Sequence, residues 1–162
     1  MQQGAIWQCV KSAEVYRCAA DDRSMGGVPV VRSYSMNAWM SGKSYGDPSG
    51  AASTYATPEN DGALTYTLFR KESQIANPSQ MWTLIDEDGG TINDSLFLVD
   101  MSSVNGIVDR PSNRHGSSYE LGFADGHFDN VKLTAPLATW NNYSSAPDPD
   151  WVRLKGWTTV PK

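Results

Sequence analysis

The sequence predicts an α+β fold, a twisted antiparallel sheet with long irregular loops and short helices near both ends. Three observations predict it. Helical periodicity is scarce, because 14 glycines and 9 prolines, with frequent Ser, Asn and Asp, cut the 162 residues into short pieces. The pieces between the breaks are rich in Val, Tyr, Trp and Phe, which suit a half-buried pleated surface. Tyr119 to Leu133 alternates apolar and polar residues around an Asp-Gly pair and reads as a hairpin.

A chain of 162 residues is one domain, 1–162, long enough to bury a core unaided. It is 40% hydrophobic and 19% charged, a balance that disordered chains lack. The formal net charge is −5 and no block of Lys or Arg is present. That argues against a sequence-independent grip on nucleic acid and against a basic face for anionic lipid. No run of about 18 apolar residues occurs, and no signal-peptide pattern precedes Gln2.

Taken in order, Ala5 to Val10 suits a helical turn and Glu14 to Cys18 an extended piece. Ala19 to Pro29, with Asp21-Asp22 and Gly26-Gly27, reads as loop. Val30 to Trp39 alternates in part and reads as strand. Ser41 to Gly62, with Tyr45 and Tyr55, is the least structured stretch, and so long a loop in a compact domain is commonly functional or mobile. Leu64 to Phe69 suits a strand or a helix start. Met81 to Ile85 is a buried-strand candidate that runs into Asp86-Glu87-Asp88 and a Gly89-Gly90 turn. Ser95 to Met101 is a further apolar run. In the hairpin, Tyr119, Leu121 and Phe123 alternate with Glu120, Gly122 and Ala124. Asp125-Gly126 turns the chain, because Gly accepts positive φ and Asp tolerates it, and His127 to Leu133 returns. Asp148 and Asp150 ahead of Trp151-Val152-Arg153-Leu154 predict a short capped helix.

Cys9 and Cys18 allow two readings. Paired, they close a small loop worth roughly 2–3 kcal/mol, and pairing requires an exported chain. Otherwise they are free thiols. Without CxxC spacing or a neighbouring His they do not read as a zinc site. His115, Asp125 and a serine form a hydrolase reading, but Ser117 and Ser118 lie in a Gly/Ser loop with no G-x-S-x-G elbow. No catalytic residue is assigned. Trp7, Trp39 and Trp82 sit among apolar neighbours and read as core. Trp140 and Trp151 sit among polar ones and are the surface candidates for stacking on a sugar ring. A secreted glycan-binding β-rich module is therefore the alternative function.

His115 is followed by nine residues and then Asp125-Gly126, in the text Arg114-His115-Gly116-Ser117-Ser118-Tyr119-Glu120-Leu121-Gly122-Phe123-Ala124-Asp125-Gly126-His127. This pattern resembles the C-terminal motif of the H-x9-DG class of prepilin-like proteins, which are related to the major pseudopilins of type II secretion. Three further segments resemble the same family in order and spacing: Val15-Tyr16-Arg17-Cys18 with Asp21; Ser33-Tyr34-Ser35-Met36-Asn37; and Ile75-Ala76-Asn77-Pro78-Ser79 with Ile85-Asp86-Glu87-Asp88 and Ile92-Asn93-Asp94. The resemblance runs from about Ile6 to Trp157.

The resemblance implies a pilin-like antiparallel head domain without enzymatic activity. It would serve in a type IV pilus-like filament for secretion or surface assembly. The implied partners are other pilin or pseudopilin subunits, with secreted cargo or surface glycans beyond them. The implied location is periplasmic or extracellular, with an inner-membrane anchor before assembly. In such proteins the sheet packs on the C-terminal half of a long apolar helix. That N-terminal pilin helix is absent from residues 1–162, so the chain is expected to be a head domain cut from it, with a headless relative as the alternative. The motif histidine, His115, is expected to hydrogen-bond near the Asp125-Gly126 hairpin. Major pseudopilins hold calcium in C-terminal loops. That makes Asp86, Glu87, Asp88, Asn93, Asp94 and Asp125, with Asp129 nearby, the candidate Ca2+ ligands, although their spacing is not that of an EF-hand. No other cofactor is expected.

Overall fold

The computed structural model describes residues 7–40, 65–101, 107–135 and 148–162. The long loop from Ser41 to Gly62 and the sugar-stacking candidate Trp140 lie outside the described residues. The elements among those described are α1 (Trp7–Val10), β1 (Ser24–Met25), β2 (Val28–Pro29), β3 (Tyr34–Asn37), β4 (Trp82–Asp86), β5 (Leu96–Phe97), β6 (Ser118–Phe123), β7 (Phe128–Lys132) and α2 (Pro149–Gly156). Short 3-10 turns lie at Glu14–Tyr16, Ala38–Met40, Glu72–Gln74 and Pro78–Gln80. No described helix is long and apolar enough to cross a membrane.

One sheet organises the chain, in the order β5-β3-β4-β6-β7. Its pairings are antiparallel except for β3 with β5, which run parallel. The α+β expectation therefore holds, with one parallel pair that the sequence pattern did not announce. The hairpin forms as β6 and β7. Its turn is tighter in Gly126 than in Asp125: only Gly126 takes a left-handed φ, of +92°. The Gly126 N–H donates to the Phe123 carbonyl at 3.0 Å, and the Phe123 N–H donates to the His127 carbonyl at 2.9 Å. Glycine thus absorbs the positive φ that a side chain would resist.

Two local readings are corrected. Ala19 to Pro29 contains the β1–β2 ribbon, because Gly26 and Gly27 take φ of +59° and +80°, the backbone a two-residue hairpin needs. Glu14–Tyr16 is a 3-10 turn, and the chain becomes extended only at Arg17.

The core lies on one face of the sheet. Trp82, Ile85, Phe97, Tyr119, Leu121, Phe123 and Val131 pack there against Trp151 and Leu154 of α2. The helix starts where the sequence predicts, since the Asp148 carboxylate accepts from the N–H groups of Asp150 (2.9 Å) and Trp151 (3.2 Å). Its neighbour Asp150 accepts from the Thr134 N–H at 2.7 Å, which ties α2 to the chain leaving β7. Asn37, the last residue of the Ser-Tyr-Ser-Met-Asn segment, is fully buried. Its amide donates to the carbonyls of Trp82 (2.9 Å) and Thr158 (3.0 Å), joining β3 to β4 and to the C-terminal tail.

The opposite face carries a row of paired positions running across all five strands. Leu96 pairs with Met36, Met36 with Leu84, Leu84 with Gly122 and Gly122 with Phe128. Met36, Leu84 and Phe128 are exposed, Phe128 most of all at 64%. A Cβ on Gly122 would meet the Phe128 ring at 2.8 Å, so the ring lies over the glycine.

Trp151 is fully buried and Val152 is 46% exposed on the same helix. Trp151→Ala is expected to cost about 3–5 kcal/mol and Val152→Ala under about 0.5 kcal/mol, read as urea unfolding midpoints at constant slope.

Candidate functional site

A polar cluster is buried at one end of the sheet. Its outer-face anchor is Asp86, which pairs across the ladder with Tyr34 and ends β4. Strand alternation places Asp86 on the face of Leu84 rather than on that of Ile85. The carboxylate does not reach solvent, because the segment around Cys18 to Arg23 and the loop before β6 cover it. Backbone bonds hold that cover down. The Ser33 N–H donates to the Tyr16 carbonyl at 2.9 Å, the Glu87 N–H to Ser33 at 2.9 Å and the Ser112 N–H to Asp86 at 2.8 Å.

Two carboxylates and two guanidinium groups make up the ionic part. Asp21 accepts from Arg23 Nε at 2.8 Å, from Arg23 Nη2 at 2.5 Å and from the Ser33 hydroxyl at 2.6 Å. Arg114 donates from Nη1 to Asp86 Oδ1, and its Nη2 lies 3.6 Å from Asp21 Oδ2. Neither carboxylate side chain has any solvent exposure. Burial pushes the Asp21 carboxyl up, but hydrogen bonds from Arg23 and Ser33 and the charge of Arg114 outweigh it and hold the group well below the usual range. Burial also pushes Asp86 up, and there it wins over the pull of Arg114 and His115.

Glu87 points to the other side of the strand end. It is buried, and neither carboxylate oxygen makes a well-formed hydrogen bond. Burial raises it from its ordinary 4.5 to about 7, with the hydroxyls of Ser35 and Thr91 only partly offsetting the cost. Asp86 and Glu87 are thus buried groups rather than a solvated strand end.

His115 arrives at this cluster through an unusual backbone. Gly116 and Ser117 both take left-handed φ, +68° and +64°, and the Ser118 hydroxyl donates to the His115 carbonyl. The resulting turn sets the imidazole against β4. Its Nε2 lies 3.3 Å from Cys18 Sγ and 3.3 Å from Asp86 Oδ2. This corrects the expected role of His115. It lies before β6, whereas Asp125-Gly126 lies after it, so six strand residues separate the two halves of the motif. Asp125 is paired instead with His127 Nδ1 at 2.5 Å. His115 and Asp125 therefore form no catalytic pair.

Cys9 and Cys18 are both free thiols, one exposed and the other buried. Cys18 Sγ is occupied by His115 and by the Ala20 N–H, which lies 3.4 Å away. The disulfide reading is therefore replaced by the free-thiol one.

The calcium candidates are not gathered at one point. Asp86 is turned to Arg114, and Asp88 accepts from the Gly90 N–H at 2.8 Å. Asp94 accepts from the Leu96 N–H at 2.7 Å, and Asn93 is exposed. Asp125 follows Phe123, which pairs with Trp82 at the other end of β4 from Asp86. Five residues of strand separate those ends by about 13 Å. Asp129, on β7, is 67% exposed in its side chain. These residues do not fit a single calcium cage, and no step is derived through that ion. Trp151, proposed as a sugar-stacking surface, is in the core.

Asp21, Arg23 and Arg114 were not among the residues that sequence reasoning selected as a site, and Cys18 was selected only as a possible disulfide partner of Cys9. The available signal was that each lies in or beside a segment carrying the family resemblance. Comparison with protein-family models, curated proteins and solved structures finds no match to this chain.

Arg114→Met leaves two buried carboxylates short of a partner and is expected to cost about 3–5 kcal/mol at pH 7. Asp21 has a depressed folded pKa, so its contribution is full above about pH 4 and is lost as pH falls further. The Arg114→Met penalty should therefore shrink in unfolding curves taken at pH 3. Glu87 behaves oppositely, because its folded pKa is raised to about 7. Glu87→Gln should be neutral near pH 4 and stabilising at pH 8 in the presence of chelator, measured as a Tm difference between the two pH values.

Proposed function

We propose that this chain is the non-enzymatic head domain of a pseudopilin-like filament subunit, acting in secretion or surface assembly outside the inner membrane. The observation that carries the reading is the apolar row Leu96, Met36, Leu84, Gly122 and Phe128, of which Met36, Leu84 and Phe128 are exposed. A sheet with a packed core on one face normally turns polar residues outward on the other. Here the outer face offers Met36, Leu84 and Phe128 at 39%, 40% and 64% exposure. Beside the row is a groove of about 440 Å³ lined by Val15, Tyr34, Leu84, Glu120, Gly122 and Phe128.

The resemblance supplies an occupant, because in prepilin-like proteins the sheet packs on a long apolar helix. Val15 belongs to the N-terminal segment and lines the groove, so a helix preceding α1 would enter from that edge. The buried ionic cluster has a structural part in this reading: it clamps the N-terminal segment to the sheet, so that pull on the helix is transmitted to the domain. The segments that resemble the family supply the clamp, which argues for mechanical duty and against hydrolysis. Other subunits are the partners, and cargo or glycans would contact the loops.

The test uses the full product of the gene, including any residues encoded ahead of Gln2. A basic leader followed by about 20 apolar residues and fibres in electron micrographs are expected. A cleavable signal peptide with a monomeric mature product would overturn the proposal. Phe128→Lys, at an exposed position, should leave the Tm of the isolated domain within about 2 °C while abolishing fibres.

A further inference from the structure

We propose that Cys18, His115 and Asp86 form a binding site for a zinc-like divalent transition metal, independent of any role in assembly. Among the described residues, these three form a group whose ligand atoms all lie within 4.8 Å of one another. Two of the separations are 3.3 Å, Sγ to Nε2 and Nε2 to Oδ2. Metal bonds of about 2.0–2.3 Å at tetrahedral angles place neighbouring donor atoms about 3.3–3.6 Å apart. The two separations from Nε2 are thus close to those of ligands around a shared ion, and the third lies within 4.8 Å.

The hydrogen-bond count points the same way. Cys18 Sγ and Asp86 Oδ2 approach the same ring nitrogen, and one imidazole nitrogen carries either one proton or one lone pair. It can satisfy one partner but not both. A Cys-His-Asp catalytic relay needs the thiol and the carboxylate on opposite ring nitrogens, so convergence on Nε2 argues against that chemistry. Asp86 Oδ2 is buried and makes no well-formed hydrogen bond, while Oδ1 of the same carboxylate is taken by Arg114. A fully buried carboxylate oxygen that faces a thiol and an imidazole without a well-formed hydrogen bond is a donor atom suited to a cation.

Local contacts hold the Cys18 side chain in place. The Ala20 N–H points to Sγ at 3.4 Å, and the Cys18 N–H is fixed by Ser33 Oγ at 3.0 Å. Ser33 in turn donates to Asp21 at 2.6 Å. These outer contacts orient the ligand as second partners do in metal sites. The donor set of one sulfur, one nitrogen and one oxygen favours zinc or cobalt over calcium or magnesium, which prefer oxygen alone. On binding, the thiol proton leaves for solvent, a metal–sulfur bond forms and no electron is transferred. Three protein ligands leave a fourth position for water. The His115 side chain is 25% exposed, which gives the ion a path in.

The test titrates reduced full chain with Co2+ as a spectroscopic probe. Saturation near one equivalent is expected, with a near-ultraviolet thiolate-to-cobalt charge-transfer band and visible bands of tetrahedral intensity. The charge-transfer band should survive Cys9→Ser and vanish in Cys18→Ser, and His115→Ala should weaken binding by about 100-fold. A second measurement needs no variant: Zn2+ should slow alkylation of Cys18 in the wild-type chain by about tenfold or more, with Cys9 unaffected. Cobalt binding without the thiolate band, a band that follows Cys9, or unchanged Cys18 alkylation would overturn the proposal. Equal protection of Cys18 by Ca2+ would overturn it too.

Discussion

Arg114 stands between two carboxylates that have no access to water, Asp21 and Asp86. A buried carboxylate without a partner is costly enough to unfold a small domain. The chain therefore has to bring three distant segments to one place: the stretch after the first 3-10 turn, the end of β4 and the loop before β6. Each is useless to the others until all have arrived. Ser33 and Arg23 add the remaining donors around Asp21, so that it is satisfied from more than one direction. The sheet order β5-β3-β4-β6-β7 is compatible with this arrangement because β4 sits centrally and delivers Asp86 from the middle of the sheet.

The same alternation that fills the core also divides the outer face into two regions. On β4, Ile85 goes to the core, while Leu84 and Asp86 go to the other side. At the Asp86 end that side is covered and charged. At the Leu84 level it is apolar, with Met36, Leu84 and Phe128 exposed and the Phe128 ring lying over Gly122. A covered ionic end thus lies beside an apolar middle in which these side chains are exposed. This is what gives the head-domain proposal its physical content.

His115 shows how a motif residue can be placed by backbone rather than by its motif partner. Two successive left-handed residues, Gly116 and Ser117, turn the chain back so that the imidazole meets Cys18 and Asp86 instead of the hairpin. An L-residue such as Ser117 holds that conformation at a cost of order 1 kcal/mol. The cost is offset where the turn also completes a buried polar cluster. The metal-site proposal and the clamp share Asp86 but use different oxygens of it, so one carboxylate serves a guanidinium on one side and faces the thiol and imidazole on the other.

Local chemistry was legible in the sequence. The β6–β7 hairpin follows from period-two alternation and a glycine at the turn. The Trp82–Asp86 strand follows from an apolar run, and α2 from an Asp cap placed ahead of it. These depend on neighbours in the chain, which a sequence displays directly. The β1–β2 ribbon was nearly legible, since Gly26-Gly27 was in view, but its flanks are too short and too exposed to show alternation. What only the tertiary structure decided depends on partners far away in sequence. Polar neighbours suggested an exposed Trp151, yet the sheet covers it completely. The acidic run suggested one oxygen-rich site, yet Asp86 and Asp125 were sent to opposite ends of β4. Cys18 offered no metal spacing of its own, and its histidine came from 97 residues away. Periodicity and turn residues specify which way a side chain leaves the backbone. Which charge, thiol or ring it meets is settled only when strands pair and loops close over them.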